Sequence, residues 1–174
     1  MAAPINKGHM NPKRVAFLGL FIALAFVMSY IEFLLPISMG IPGAKIGLAN
    51  LVIVVALFCI GKKDAFILSA IRVLLVGLTF GNMAMTIYSL AGATLSFVAM
   101  LVAKRFKKLS VTGVSVVGGV FHNIGQIIVA MIIMETSGLI YYLPFLLVVG
   151  TISGVVIGVV ASMIIVRVQK SLRF

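Results

Sequence analysis

Carboxylates are almost missing from this chain: Glu32, Asp64 and Glu135 are its only acids, far apart in 174 residues, against 14 Lys and Arg. Three scattered acids do not make the clustered carboxylates that hold magnesium against a pyrophosphate. Cysteine occurs once, as Cys59 within an apolar run, so the chain has no internal disulfide and no cysteine metal cluster. Of the two histidines, His9 belongs to the polar N-terminal stretch, and no haem-attachment motif occurs, so a redox role would need a borrowed flavin or quinone. A nucleotide-binding phosphate loop is missing too, because Gly61-Lys62 lacks both the preceding glycine and the following hydroxyl. That excludes a self-powered pump. The absence of polar and apolar alternation excludes a β-barrel, and neither a soluble domain, a linker nor an internal repeat is present.

What the chain has instead is apolar length. It is 63% hydrophobic and only 10% charged, with a mean hydropathy of +1.29. A soluble domain would be about a quarter charged. Since about 20 residues at 1.5 Å per residue cross a hydrocarbon layer of about 30 Å, six apolar runs read as six helices. They are expected at Val15 to Leu35, Ala44 to Ile60, Asp64 to Phe80, Met83 to Lys104, Val111 to Met134 and Tyr141 to Val168. The second and third are short, which leaves them re-entrant or placed where neighbours thin the layer. The fold class is thus an all-α membrane protein, a six-transmembrane-helix bundle. Residues 1–13 read as a polar cytoplasmic tail, in which Gly8-His9-Met10 resembles a cloning junction, and residues 14–174 as a single transmembrane domain. The first run lacks a small-residue cleavage site after it, so it is expected to stay as helix one.

Twelve of the 14 basic residues fall at alternate junctions: Lys7, Lys13 and Arg14; Lys62 and Lys63; Lys104, Arg105, Lys107 and Lys108; Arg167, Lys170 and Arg173. Short loops rich in Lys and Arg stay cytoplasmic, so both termini and the second and fourth junctions are expected on the inner side of the cell membrane. The net charge of +11 is therefore a boundary charge suited to anionic lipid, with no interleaved polar and aromatic groove for nucleic acid.

The opposite loops, Pro36 to Gly43, Gly81-Asn82 and Glu135 to Leu143, carry Pro, Gly, Asn and Tyr and almost no charge, so ligand access is expected there. Pro36, Pro42 and Gly43 end helix one and force an irregular connection, either a plain exposed loop or one that lines a cavity. Two cations break the boundary pattern. Arg72 stands near the middle of the third run, where a lone cation costs about 2.5 to 3.5 kcal/mol, so Glu32, an anionic ligand or backbone carbonyls must offset it. Lys45, just past the first outer loop, either points at the same cavity or snorkels to the headgroups. Glu32 is also a candidate coupling site for an ion-driven secondary transporter.

Small and polar residues form stripes on the later helices. In the fifth, Ser115, Gly118, Gly119, His122 and Gln126 recur at three- and four-residue spacing with Asn123 beside them. In lipid such a stripe faces protein or water: it is either a set of interhelical hydrogen bonds or a ligand surface. Thr86, Ser89, Gly92, Ala93 and Ser96 in the fourth helix, and Gly150, Gly154, Gly158 and Ser162 in the sixth, read as close-packing faces. Helix one has two faces, Ala16, Gly19 and Ala23 on one side and Ala25, Ser29 and Glu32 nearly opposite; the first suits a partner helix, the second the bundle interior.

Several motifs in order resemble the Gx transporter family, which also carries the label heptaprenyl diphosphate synthase component I. They are Pro42-Gly43-Ala44-Lys45-Ile46-Gly47-Leu48-Ala49-Asn50, then Arg72, Phe80-Gly81-Asn82, Ser89-Leu90-Ala91-Gly92, Gly118 through Gln126, and Tyr141-Tyr142-Leu143-Pro144. That family is similar to the substrate-binding S components of energy-coupling factor (ECF) transporters, six-helix subunits that capture micronutrients and dock on a shared transmembrane coupling subunit with two ATPases. The resemblance implies a ligand site near the outer face, carried over here to Lys45, Asn50, Arg72, Asn82, His122, Asn123, Gln126 and Tyr142. Two cations and several amides imply a small, anionic ligand. It implies docking through Ala16, Gly19 and Ala23, where Gly19 and Ala23 match an Ala-x-x-x-Ala motif approximately. The dispersed acids argue against enzyme activity of the chain's own, and no cofactor is expected; an accessory role in isoprenoid or quinone metabolism, or an ion-coupled secondary transporter, is the alternative.

Overall fold

A computed structural model describes residues 12–34, 47–106 and 108–171. The first outer loop with Lys45, residues 1–11 of the N-terminal tail, Lys107 and Arg173 lie outside the described residues, and the last two residues of the stretch read as a tail, Pro12 and Lys13, already belong to the first helix. Six α-helices run in order: α1 Pro12–Leu34, α2 Leu48–Cys59, α3 Lys62–Thr79, α4 Met83–Arg105, α5 Val111–Ile133 and α6 Leu143–Ser171, with a 3-10 segment at Ser137–Tyr142 before the last. No strand occurs among the described residues.

Local chemistry sets the starts of α4 and α5. The Met85 N–H donates to the Asn82 side-chain oxygen at 2.8 Å and the Gly113 N–H to the Ser110 hydroxyl at 3.2 Å, each satisfying one of the orphan donors of a helix N-terminus. Gly61, at φ +140°, takes a backbone conformation closed to most residues and turns the chain from α2 into α3. The last helix begins two residues later than its sequence pattern suggests, because Tyr141 and Tyr142 belong to the 3-10 segment and Pro144 falls in the first turn of α6.

Four helical stretches are long and apolar enough to cross a membrane: Val15–Leu34, Met83–Arg105, Val111–Ile133 and Ser137–Gln169. Their outward faces carry exposed Leu20, Val27, Phe33, Val98, Ile132, Ile152 and Val156, the opposite of a water-facing surface and the pattern that fits a membrane-embedded protein. The other two helices differ. At 12 residues α2 is about 18 Å long, too short for the layer. Its Val52, Ile53, Val54, Val55, Ala56 and Leu57 are consecutively buried, so it is wrapped by protein on every side, against α1, α3 and α6. The 18 residues of α3 include Lys62, Lys63, Asp64 and Arg72.

Helix α5 packs along both α4 and α6. The small-residue run in α6 is what makes the second contact close: a Cβ on Gly154 would lie 2.6 Å from the Val116 Cα, and one on Gly158 2.5 Å from the Thr112 Cα. The junctions are brought together in the same way. The Lys104 ammonium donates to the Leu57 carbonyl at 2.8 Å and lies 4.4 Å over the Phe58 ring. A basic residue thereby caps the C-terminal end of the short α2 and joins the α4 to α5 junction to the α2 to α3 junction at one end of the bundle.

Candidate functional site

Arg72, in the middle of α3, is the point on which the interior is organised. It lines two adjoining clefts, and Glu32 near the end of α1 lines both with it. The first cleft runs between α2, α4, α5 and α6 and is bordered by Asn50, Ser96, Ser115, His122, Asn123 and Ser153, with Gly118 and Gly119 in its α5 wall. It holds about 550 Å³ of empty space, counting the part open to the surroundings. The second, about 540 Å³ on the same reckoning, lies toward the end of the bundle where α3 finishes and α4 begins. Phe33, Val76, Phe80 and Met85 give it an apolar wall, with Ser29, Thr86 and Ser89 among the polar residues at its border.

The buried Nε of Arg72 has no hydrogen-bond partner among the described residues. An unmet buried donor costs about 1 to 3 kcal/mol, more where the group is charged, so this nitrogen calls for an acceptor. Glu32 is the acid that acts on Arg72 electrostatically, yet its carboxylate accepts the Gly47 N–H. That bond ties the end of α1 to the start of α2, across the loop between them. Gly47 itself sits at φ +78°, where a side chain would be strained, directly before the first turn of α2.

The residues carried over from the family resemblance separate into groups. Asn50, Arg72, His122 and Asn123 come together on the first cleft. Asn123 also donates to the Leu146 carbonyl at 2.7 Å, so its amide joins α5 to α6. Gln126 is buried one turn along and packs its side chain against Gly92 of α4. Asn82 caps α4 at an exposed position, and Tyr142 is exposed on the 3-10 segment; neither borders the two clefts. Lys45 lies outside the described residues. On the outer surface of α1, Ala16, Gly19 and Ala23 are all exposed, and a Cβ on Gly19 would meet nothing within 4 Å.

Sequence patterns gave no separate notice of Phe80 or Ser153. Phe80 ends α3 within a cluster of α1 rings, at centroid distances of 5.6 Å to Phe26, 5.6 Å to Tyr30 and 5.1 Å to Phe33. The spacing of Phe26, Tyr30 and Phe33, three and four residues apart on one helical face, was the available signal. Ser153 lay hidden among small residues that read as packing.

These features define an all-helical protein with several apolar helices of membrane-spanning length and a polar, arginine-centred interior. The heptaprenyl diphosphate synthase component I family matches residues 21–164, and the chain belongs to that family, the one also called the Gx transporter family. No curated protein and no solved structure matches the chain.

Proposed function

We propose that this chain is the substrate-capturing S component of an ECF importer in the cell membrane, taking a small anionic micronutrient or precursor from the outer side. The observation that carries the reading is the buried Arg72 Nε, which has no acceptor among the described residues and lies beside a cleft bordered by amide, imidazole and hydroxyl groups. A cation inside a bundle is costly unless something offsets it, and a captured carboxylate or phosphate offsets it each time the ligand binds. All six helices form the membrane domain in this reading, with the short α2 shielded by its neighbours and both termini cytoplasmic. The exposed Ala16, Gly19 and Ala23 face is where the transmembrane coupling subunit docks, with the two ATPases supplying energy the chain has no motif to supply.

Uptake in cells or proteoliposomes carrying the chain and its coupling subunits tests this. Uptake that continues with ion gradients collapsed and stops without ATP supports it; uptake that follows the gradients instead overturns it in favour of a secondary transporter. The family's description supports a second reading, an accessory membrane subunit of prenyl diphosphate synthesis. In that role the chain presents a precursor to a catalytic partner and has no activity alone, consistent with three dispersed acids. Loss of prenyl diphosphate synthesis on deleting the chain, with no uptake defect, favours this second role.

A further inference from the structure

The second cleft shares Arg72 and Glu32 with the first but has a different wall, and the polar chemistry assigned above does not use it. A site for a purely hydrophilic ion has no need of Phe33, Val76, Phe80 and Met85 beside its only mid-helix cation. Phe80 is fixed by ring contacts to three residues of α1, Phe33 among them, which gives the apolar wall a packed centre. The buried Arg72 Nε has no acceptor among the described residues, and a bound anion would supply one.

We infer that the ligand is an anionic amphiphile, with its phosphate or carboxylate at Arg72 and an apolar portion lying along Phe80 and Met85 in the cleft between α1, α3 and α4. The inference rests on the proposal that Arg72 anchors a captured anion, and it adds which chemistry that anion carries. The donors of the first cleft surround the head; the second cleft takes the tail. A free solute and a membrane phosphomonoester lipid share this chemistry.

The test uses the full chain in phosphatidylcholine nanodiscs, titrated with inorganic phosphate and with butyl, hexyl and octyl phosphate, empty discs serving as the partition reference. Affinity is expected to rise by about fourfold per buried methylene above the empty-disc reference. Arg72→Gln should weaken every organic phosphate, whereas Phe80→Ala should flatten the dependence on chain length, weakening octyl phosphate far more than butyl phosphate. Met85→Ser, at the same wall, provides the second variant should Phe80→Ala not fold. Phosphatidic acid placed in the disc distinguishes the sources: competition with octyl phosphate assigns the site to a lipid, and lack of competition to a free amphiphile. Binding that is independent of chain length but still lost in Arg72→Gln overturns the amphiphile and leaves the anion-capture reading standing. Binding of all four probes that is indifferent to Arg72→Gln overturns both.

Discussion

Asn123 donates its side-chain amide to the backbone carbonyl of Leu146 at 2.7 Å, and both residues are buried at the contact of α5 with α6. A residue on the border of the polar cleft is therefore also a fastener between two helices. Asn123→Ala removes the donor and with it the side-chain bond to α6, at a cost of about 0.6 to 1.7 kcal/mol for an interhelical hydrogen bond in a membrane protein. Unfolding of the detergent-solubilised protein should show that loss. A drop in ligand affinity much larger than the stability loss would mean that the amide also touches the ligand.

Arg72→Gln keeps a donor of similar reach but removes the charge. It should lower ligand affinity by at least tenfold and also destabilise the fold, because it leaves the Glu32 carboxylate without the guanidinium it acts on. Binding measured by equilibrium dialysis, with thermal unfolding alongside, checks it. A markedly more stable and fully active variant would show that the cation is mere burden.

The glycine run in α6 is expected to be intolerant of even one methyl group. Gly154→Ala places a Cβ 2.6 Å from backbone of α5, and backbone, unlike a side-chain end, cannot swing aside. Overpacking of this kind costs about 1 to 3 kcal/mol, so the apparent Tm should fall. Gly19→Ala, with open space around it, should not lower Tm and should raise it slightly, alanine being the better helix former.

If the proposed importer role holds, Gly19→Leu and Ala23→Leu, both on the exposed face of α1, should spare folding and ligand binding yet abolish co-purification with a coupling subunit. Unimpaired assembly in both variants would move the docking surface elsewhere on the bundle.

Lys104→Met should destabilise the protein by about 1 to 3 kcal/mol, because it strips the Leu57 carbonyl of its donor at the end of α2 and removes a cation from the Phe58 ring. Lys104→Arg, which can still reach that carbonyl, should recover most of the loss. Chemical denaturation in detergent compares the two.

Much of the architecture was legible because it depends on local causes. Six apolar runs became six helices, four of them of spanning length, and the starts at Met83 and Val111 coincide with capping by Asn82 and Ser110, which apolar length alone does not reveal. Helix two proved shorter than its apolar run, Leu48–Cys59 in place of Ala44 to Ile60, because hydrophobicity alone does not say where a left-handed glycine such as Gly47 begins the first turn. The spacing of the α5 stripe placed Ser115, Gly118, Gly119 and His122 on one surface, as the cleft shows. It did not divide their tasks: Gln126, equally in phase, packs against Gly92.

Sequence alone determined that this is an all-helical, apolar protein with its cations gathered at alternate junctions and one arginine stranded in mid-helix, because length, hydropathy and charge position are properties of the chain before it folds. Tertiary structure decided what that arginine meets. Whether Arg72 faced an acid, a ring or a cleft depended on how α1, α3, α4 and α5 cross, and those crossings are set by backbone approaches at glycines and by contacts between residues far apart in sequence. Those same crossings tie Glu32 to Gly47, set Phe80 against α1 and leave the Arg72 Nε at a cleft with no acceptor among the described residues.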